Sequence, residues 1–474
     1  MASDNGCASR TSVRPAAAGI AFDVMATTHT SAAAIAALQA GRLRLLLQAA
    51  LGTRFYRSAL RGIDTGSVAL SALPVADKLQ PMRQFADRVT DPQITLDGLR
   101  AFCADTRRIG EPYLGRYRVW KSSGSTGQPG VFVQDETALA VYDALEALRR
   151  HSPRPLVRLV DPLYLGERFA FVGAFGGHFA SHVSVRRLQA ANPWLAQHSR
   201  SFSILQPTAA LVAELNAFGP SIVATYPTAA VLLAEETQRG NLRIHPQEVR
   251  TGGETLSATM RARIEQGLRC ALRNSYGASE FLPIAWECAQ GRLHVDADWV
   301  ILEAVDARHR PVPAGQASHT TLLTNLANHV QPLIRFDIGD RIVLDAEPCR
   351  CGCALPTVQV HGRRDDVLVE RSREGAPVTL LPLALTTLLE DHAGVFDFQL
   401  CQHGVGHWDL TLGRGAAHTR SVREHCRSLL ADFARRQGAV DLRIVVHVAD
   451  ALPLGRSGKL KRIVASTRRD AHAE

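Results

Sequence analysis

The stretch Trp120-Lys121-Ser122-Ser123-Gly124-Ser125-Thr126-Gly127-Gln128-Pro129-Gly130 interleaves small hydroxyl residues with glycine. Glycine lets a backbone turn through positive φ and approach a ligand closely, while Ser and Thr supply short hydroxyl donors. Successive N–H groups in such a turn form a concave nest for anions, most often phosphate. A flexible Gly/Ser turn has the same composition, so the loop alone leaves both readings open. It is not a Walker A loop, because no Gly-Lys-Ser/Thr closes it and Lys121 precedes it. A second group is Cys288, His294 and Cys349-Arg350-Cys351-Gly352-Cys353, whose thiolates and imidazole suit tetrahedral Zn²⁺ or, alternatively, a set of buried free thiols.

A chain of 474 residues exceeds one hydrophobic core, so two or three domains are expected. Its 46% hydrophobic content excludes wholesale disorder. The formal charge of +9 comes largely from Arg interspersed with acidic residues, which suits anionic small molecules. No long basic block with interleaved aromatics argues for nucleic acid. No apolar run reaches the roughly 20 residues of a membrane span, and the start lacks a signal segment. The expectation is a cytoplasmic protein, monomer or homodimer, with a loosely ordered tail over 1–31. Nine cysteines without a secretory signal argue for thiols or metal ligands rather than disulfides.

The positioning elements follow from periodicity. Val131-Phe132-Val133 reads as a strand leaving the loop, and Glu136 to Arg150 as an amphipathic helix. From Pro207 onward helices (Ala209–Phe218, Thr228–Gln238, Ala258–Gly267) alternate with strands (Ser221–Thr225, Glu248–Gly252, Ala271–Ser275). This predicts an α/β fold: a mostly parallel sheet covered by helices, then a β-rich segment from Leu293 to about Val360. In such sheets ligands bind beyond the carboxyl ends of the strands, where Tyr226, Gly252-Gly253-Glu254 and Tyr276-Gly277-Ala278-Ser279-Glu280 fall. A polar break at 363–366 separates a large N-terminal domain (32–362) from a small α+β C-terminal domain (367–474).

The loop, Gly252-Gly253-Glu254, Tyr276-Gly277-Ala278-Ser279-Glu280, Ile334-Arg335-Phe336-Asp337-Ile338-Gly339-Asp340-Arg341, Gly362-Arg363-Arg364-Asp365-Asp366 and Arg456-Ser457-Gly458-Lys459-Leu460-Lys461-Arg462 occur in one order. That series resembles the AMP-forming acyl-adenylate superfamily, and within it the phenylacetate–coenzyme A ligase-like family, from about Arg42 to Ile463. The resemblance implies that Ser122, Ser123, Gly124, Ser125, Thr126 and Gly127 grip the phosphates of ATP. Gly253, Glu254 and Gly277 would also bind the nucleotide, Tyr276 would offer an aromatic face near the adenine, and Asp340 and Arg363 would stand at the ribose. Glu280 would offer a hard carboxylate oxygen to Mg²⁺. Lys459 would offset charge as the α-phosphate and the substrate carboxylate join, a task for a flexible point charge. Thr126 and Glu280 join Lys459 as catalytic candidates, and Asp365 falls at the hinge on which the small domain rotates.

Relatives that carry zinc imply Cys288, His294, Cys349 and Cys351 as its ligands, with Cys353 a possible substitute, in a structural site. Tyr164, Phe175, His178, His182 and Tyr226 fall near the acid pocket, and this aromatic cluster favours an aryl acid. The implied activity is ATP-dependent adenylation of that acid with release of pyrophosphate, then transfer to a thiol such as coenzyme A. The stretch Val369 to Val378 is longer and more charged than the loop lining the coenzyme A tunnel in the ligases. The alternative is therefore the same adenylation with another acceptor: an amine, a carrier protein, or the nitrite-dependent diazotisation of an aryl amine seen in specialised metabolism.

Overall fold

The structure, a computed structural model, describes residues 17–66, 69–76, 80–122, 130–150, 166–361, 367–395, 397–413, 419–440, 442–450, 452 and 461–465. Its centre is a nine-stranded sheet. Five strands run parallel in the order Ser199–Ser203, Phe169–Gly173, Ile222–Thr225, Glu248–Thr251 and Ala271–Ala278. Helices Thr208–Phe218, Pro227–Gln238 and Ala258–Leu268 alternate with them, as expected. Their ends follow local chemistry: Gly219 closes the first in the left-handed conformation, Pro227 opens the second, and the Ser257 hydroxyl caps the third.

At Ala278 the sheet changes character. Phe281–Glu287 turns back antiparallel, and Leu293–Val295, Thr357–His361 and Arg341–Leu344 continue in that sense. Gly277 permits the reversal. The register shifts between Tyr276 and Ala278, and a Cβ at 277 would lie 1.9 Å from the Leu282 carbonyl oxygen. A separate antiparallel sheet, Val300–Val305, Thr320–Asn325 and Phe336–Asp337, completes the β-rich segment.

The expected tail over 1–31 needs correction. Ala17–Thr28 is a helix with Ile20 and Val24 in the core beside Val141 and Leu145. Alanine without charge reads as tail, but here it makes a good helix former packed against Glu136–Leu148. A buried ion cluster fastens it. The Arg149 guanidinium, fully buried, donates to Asp296 Oδ1 (2.8 Å) and to Asp298 Oδ1 and Oδ2 (2.7 and 2.8 Å). Its Nε reaches the Thr28 hydroxyl at 3.1 Å, and Arg42 joins Asp298 to Asp23.

The C-terminal part is α+β. The hairpin Leu368–Arg371 and Pro377–Leu380 leads to a helical stretch over Pro382–Thr387 and Leu388–His392. A four-stranded sheet follows in the order Arg443–Ala449, His407–Gly413, Phe398–Gly404 and Ile463–Ala465. Helix Arg420–Arg436 links the parallel neighbours His407–Gly413 and Arg443–Ala449 as a βαβ unit. The expected hinge, 363–366 with Arg363 and Asp365, lies outside the described residues. Among the described residues no helix is long and apolar enough to cross a membrane.

Replacing Arg149 with leucine strands Asp296 and Asp298 in the core without a counter-charge. The expected loss is about 3–5 kcal/mol of stability, read as a fall in the urea midpoint; an unchanged midpoint would refute the fastening role.

Candidate functional site

A cavity of about 1080 Å³ opens beyond the carboxyl ends of the parallel strands. Tyr226, Gly253, Glu254, Tyr276, Gly277, Glu280, Asp340 and Ser122 all lie on its wall, brought there from five separate stretches of chain. The Tyr276 hydroxyl donates to Asp340 Oδ2 at 2.8 Å. Burial first, then the Asp340 charge, holds this phenol well above its ordinary pKa, so it stays a donor. Glu254 binds the start of helix Pro227–Gln238: Oε2 accepts from the Thr228 N–H and Oε1 from the Thr228 hydroxyl, both at 3.1 Å. Gly253 has φ +79°, and a Cβ there would press on the Tyr226 ring at 3.2 Å. Burial pushes the Tyr226 phenol up to about 12.

The hairpin Arg118–Lys121 and Val131–Gln134 brings Lys121 and Ser122 to this wall. Ser122 N–H donates to Gly130 O (2.8 Å), and the Ser122 hydroxyl accepts from Gly130 N–H (2.9 Å). Trp120, fully buried, donates its indole N–H to Ser279 O at 2.8 Å, tying the hairpin to the residue before Glu280. The Asn325 amide donates to Glu280 O (2.9 Å) and to the Tyr142 oxygen (2.8 Å). Asn328 donates to Val133 O (2.7 Å) and Gln134 Oε1 (2.9 Å); Gln331 donates to Val131 O (3.1 Å) and accepts from Val133 N–H (2.9 Å). Glu280 is thus nearly buried yet on the cavity wall, a rigidly mounted carboxylate.

Three expected pocket residues, Phe175, His178 and His182, stand off that wall. His178 is fully buried with its ring 5.2 Å from Phe102, and burial lowers its pKa. Phe175 packs on Phe171 and on His182, at 5.4 and 4.6 Å between ring centres. Phe171 and Phe179 line the cavity instead, with Tyr226. Ser123, Gly124, Ser125, Thr126, Gly127, Tyr164 and Lys459 lie outside the described residues.

Sequence reading also missed two charge pairs at the rim. Lys121 Nζ lies 2.8 Å from Asp391 Oδ1, and Arg462 binds Glu390. Burial pushes Glu390 up to about 8 while Arg462 pulls the other way. Arg462 stood in the Gly458-Lys459 motif, but nothing in the sequence pointed to Glu390 or Asp391.

Away from the cavity, Cys288, His294, Cys349 and Cys351 bring one ligand atom each to within 4.8 Å of one another, the only such group among the described residues. Cys288 Sγ and Cys349 Sγ are 3.8 Å apart, and Cys351 Sγ is 3.2 Å from His294 Nε2. His294 Nδ1 lies 2.9 Å from Leu355 O, which fixes the tautomer with Nε2 free to ligate. Cys353 turns away, its thiol toward Thr28 O at 3.7 Å.

No family model matches the chain. The phenylacetate-coenzyme A ligase of Thermus thermophilus is 27% identical over 267 residues, which cover 54% of this chain and 56% of the ligase. Protein CapK of Staphylococcus aureus is 27% identical over 177 residues, 36% of this chain and 37% of CapK. The match therefore spans 56% of the length of the ligase and 37% of that of CapK. A solved structure of 2-hydroxyisobutyryl-CoA ligase with 2-HIB-AMP and CoA in the thioesterification state superposes with TM-score 0.56. It is 20% identical and covers 93% of this chain and 91% of its own. The open conformation of that ligase gives TM-score 0.50 at 19% identity, covering 90% of each chain. The chain shares the fold of these structures.

Replacing Asn325 with alanine removes its hydrogen bonds to the Glu280 carbonyl, the Tyr142 oxygen and the N–H groups of Ala327 and Asn328. Denaturant unfolding should register a loss of roughly 2–4 kcal/mol. A change within the ordinary scatter of a surface substitution would count against this anchoring.

Proposed function

We propose that this chain is an AMP-forming ligase of the acyl-adenylate superfamily, in its phenylacetate–coenzyme A ligase-like branch. It activates a small aryl carboxylic acid with ATP and transfers the acyl group to a thiol such as coenzyme A. One observation carries the reading: Gly253, Glu254, Tyr276, Glu280 and Asp340, widely separated in sequence, meet on the wall of one cavity with Ser122 at the loop's edge. The partial likeness to a phenylacetate-coenzyme A ligase and the shared fold with a CoA ligase support it.

In this reading the Tyr276 ring gives the adenine a flat wall. Asp340 keeps acceptor capacity for the ribose hydroxyls while accepting the tyrosine's hydrogen bond. The acid, between Phe171, Phe179 and Tyr226, presents its carboxylate to the α-phosphorus; an oxygen–phosphorus bond forms and pyrophosphate leaves. The thiol then attacks the acyl carbon, and AMP departs with the bonding electrons. Ser122 to Gly127 with Thr126, Arg363, and Lys459 are assigned by their motifs, Lys459 as the point charge that offsets two converging anions. Glu280, a hard oxygen donor on the cavity wall, fits Mg²⁺, which would neutralise phosphate charge. The large part (32–362) and the small part (367–474) would move about 363–366, with Asp365 as pivot.

The Cys288, His294, Cys349 and Cys351 group fits a structural zinc. Four soft or borderline donors converge, no fifth His, Cys, Asp or Glu joins them among the described residues, and the imidazole is already oriented by Leu355 O. It would pin the strand Leu293–Val295 to the loop at 349–351 and take no part in the reaction.

Pyrophosphate exchange into ATP, screened over aryl acids, should proceed with at least one of them, and addition of coenzyme A should yield its thioester. Lys459→Ala should depress the exchange by about a hundred-fold or more. Absence of exchange with every acid overturns the adenylation, whereas exchange without thioester moves the acceptor to an amine or carrier protein. Metal analysis should find one zinc per chain in the wild type and none in Cys351→Ser, with a lowered melting temperature. A metal-free wild-type chain of unchanged melting temperature would remove the zinc assignment.

A further inference from the structure

Only four of the 54 basic residues are lysines, and one of them, Lys121, stands at the cavity. It ends the strand Arg118–Lys121, directly before Ser122, and its N–H donates to His178 O at 2.8 Å. The side chain is 20% exposed, with its ammonium 2.8 Å from Asp391 Oδ1 and 5.4 Å from the centre of the Phe179 ring. Gly177 clears the slot: a Cβ there would lie 2.9 Å from Lys121 Cε and 3.3 Å from Asp391 Oδ2. Asp391 is 5% exposed, and its Oδ2 has no hydrogen-bond partner among the described residues. The adjacent anion, Glu390, is engaged by the almost fully buried Arg462. Both Lys121 and Arg462 line the cavity, but Lys121, 20% exposed against 4% for Arg462, is the more accessible of the two.

An arginine fork is committed to its geometry, whereas a lysine is a point charge on a flexible stem that can change partners. We propose that Lys121 is a nucleotide-contacting cation with two alternative partners: Asp391 in the conformation described, and the polyphosphate of ATP when the cavity is filled. This rests on the nucleotide reading above. Asp391 then competes with the ligand as an internal anion. The apparent dissociation constant is the intrinsic one divided by the fraction of molecules whose Lys121 is free.

The test is calorimetric binding of a non-hydrolysable α,β-methylene analogue of ATP, without acid, to the full chain. Asp391→Asn frees the ammonium and should tighten binding by about three- to ten-fold. Lys121→Met should weaken it. That variant leaves Asp391 unpaired in a nearly buried site and is the one at risk of misfolding, so Lys121→Met/Asp391→Asn accompanies it. The double variant should bind as weakly as Lys121→Met, because Asp391 acts only through the lysine. Binding that is unchanged or weakened in Asp391→Asn overturns the inference alone and leaves a purely structural ion pair. A wild-type chain that binds no analogue overturns the nucleotide reading and this inference with it.

Discussion

Three buried carboxamides substitute for a β-strand at the heart of this molecule. Asn325, Asn328 and Gln331 bond the backbone of Val131 and Val133 on one side and the Glu280 carbonyl on the other. Backbone groups buried without partners are costly, so the strand that leaves the Ser/Gly loop needs such partners in the core. Amides satisfy it without introducing charge. The same residues set the distance between the loop's exit and the carboxylate at Glu280. The geometry of the cavity is therefore fixed by uncharged groups that never reach it.

The second constraint is the change of sense in the central sheet. A parallel sheet leaves open space beyond its carboxyl edge, and a tight antiparallel turn at Gly277 closes one side of that space. Tyr276 and Glu280 flank the turn and project onto the cavity, while the antiparallel strands carry the chain back to Asp340. The cavity exists because the two modes of pairing meet in one sheet.

Much of this was legible in the sequence. The alternation of short apolar strands with capped helices from Pro207 onward is a local signal, and the structure reproduces it within a residue or two except at the last strand, which extends to Ala278. The Cys and His quartet that the family resemblance implied does converge. What escaped was non-local or unpatterned. The helix Ala17–Thr28 has alanine, glycine and threonine at seven of its twelve positions, a weak local pattern, and it packs against Glu136–Leu148. Phe175 and His178 sit a few residues from Phe171 and Phe179, yet only the latter two line the wall. Lys121 and Asp391 are 270 residues apart, with no motif joining them.

The ion cluster around Arg149 also dictates when parts of the chain can settle. Arg42 binds the Asp298 backbone across 256 residues, and Arg149 requires Asp296 and Asp298 together. On a ribosome adding about 5–20 residues per second, the first two helices emerge roughly 10–50 seconds before the carboxylates that hold them. During that interval Ile20, Val24, Leu46 and Leu47, all buried in the finished protein, lack part of their cover. These two helices are thus made well before the carboxylates that secure them, and their apolar faces wait for cover while synthesis proceeds.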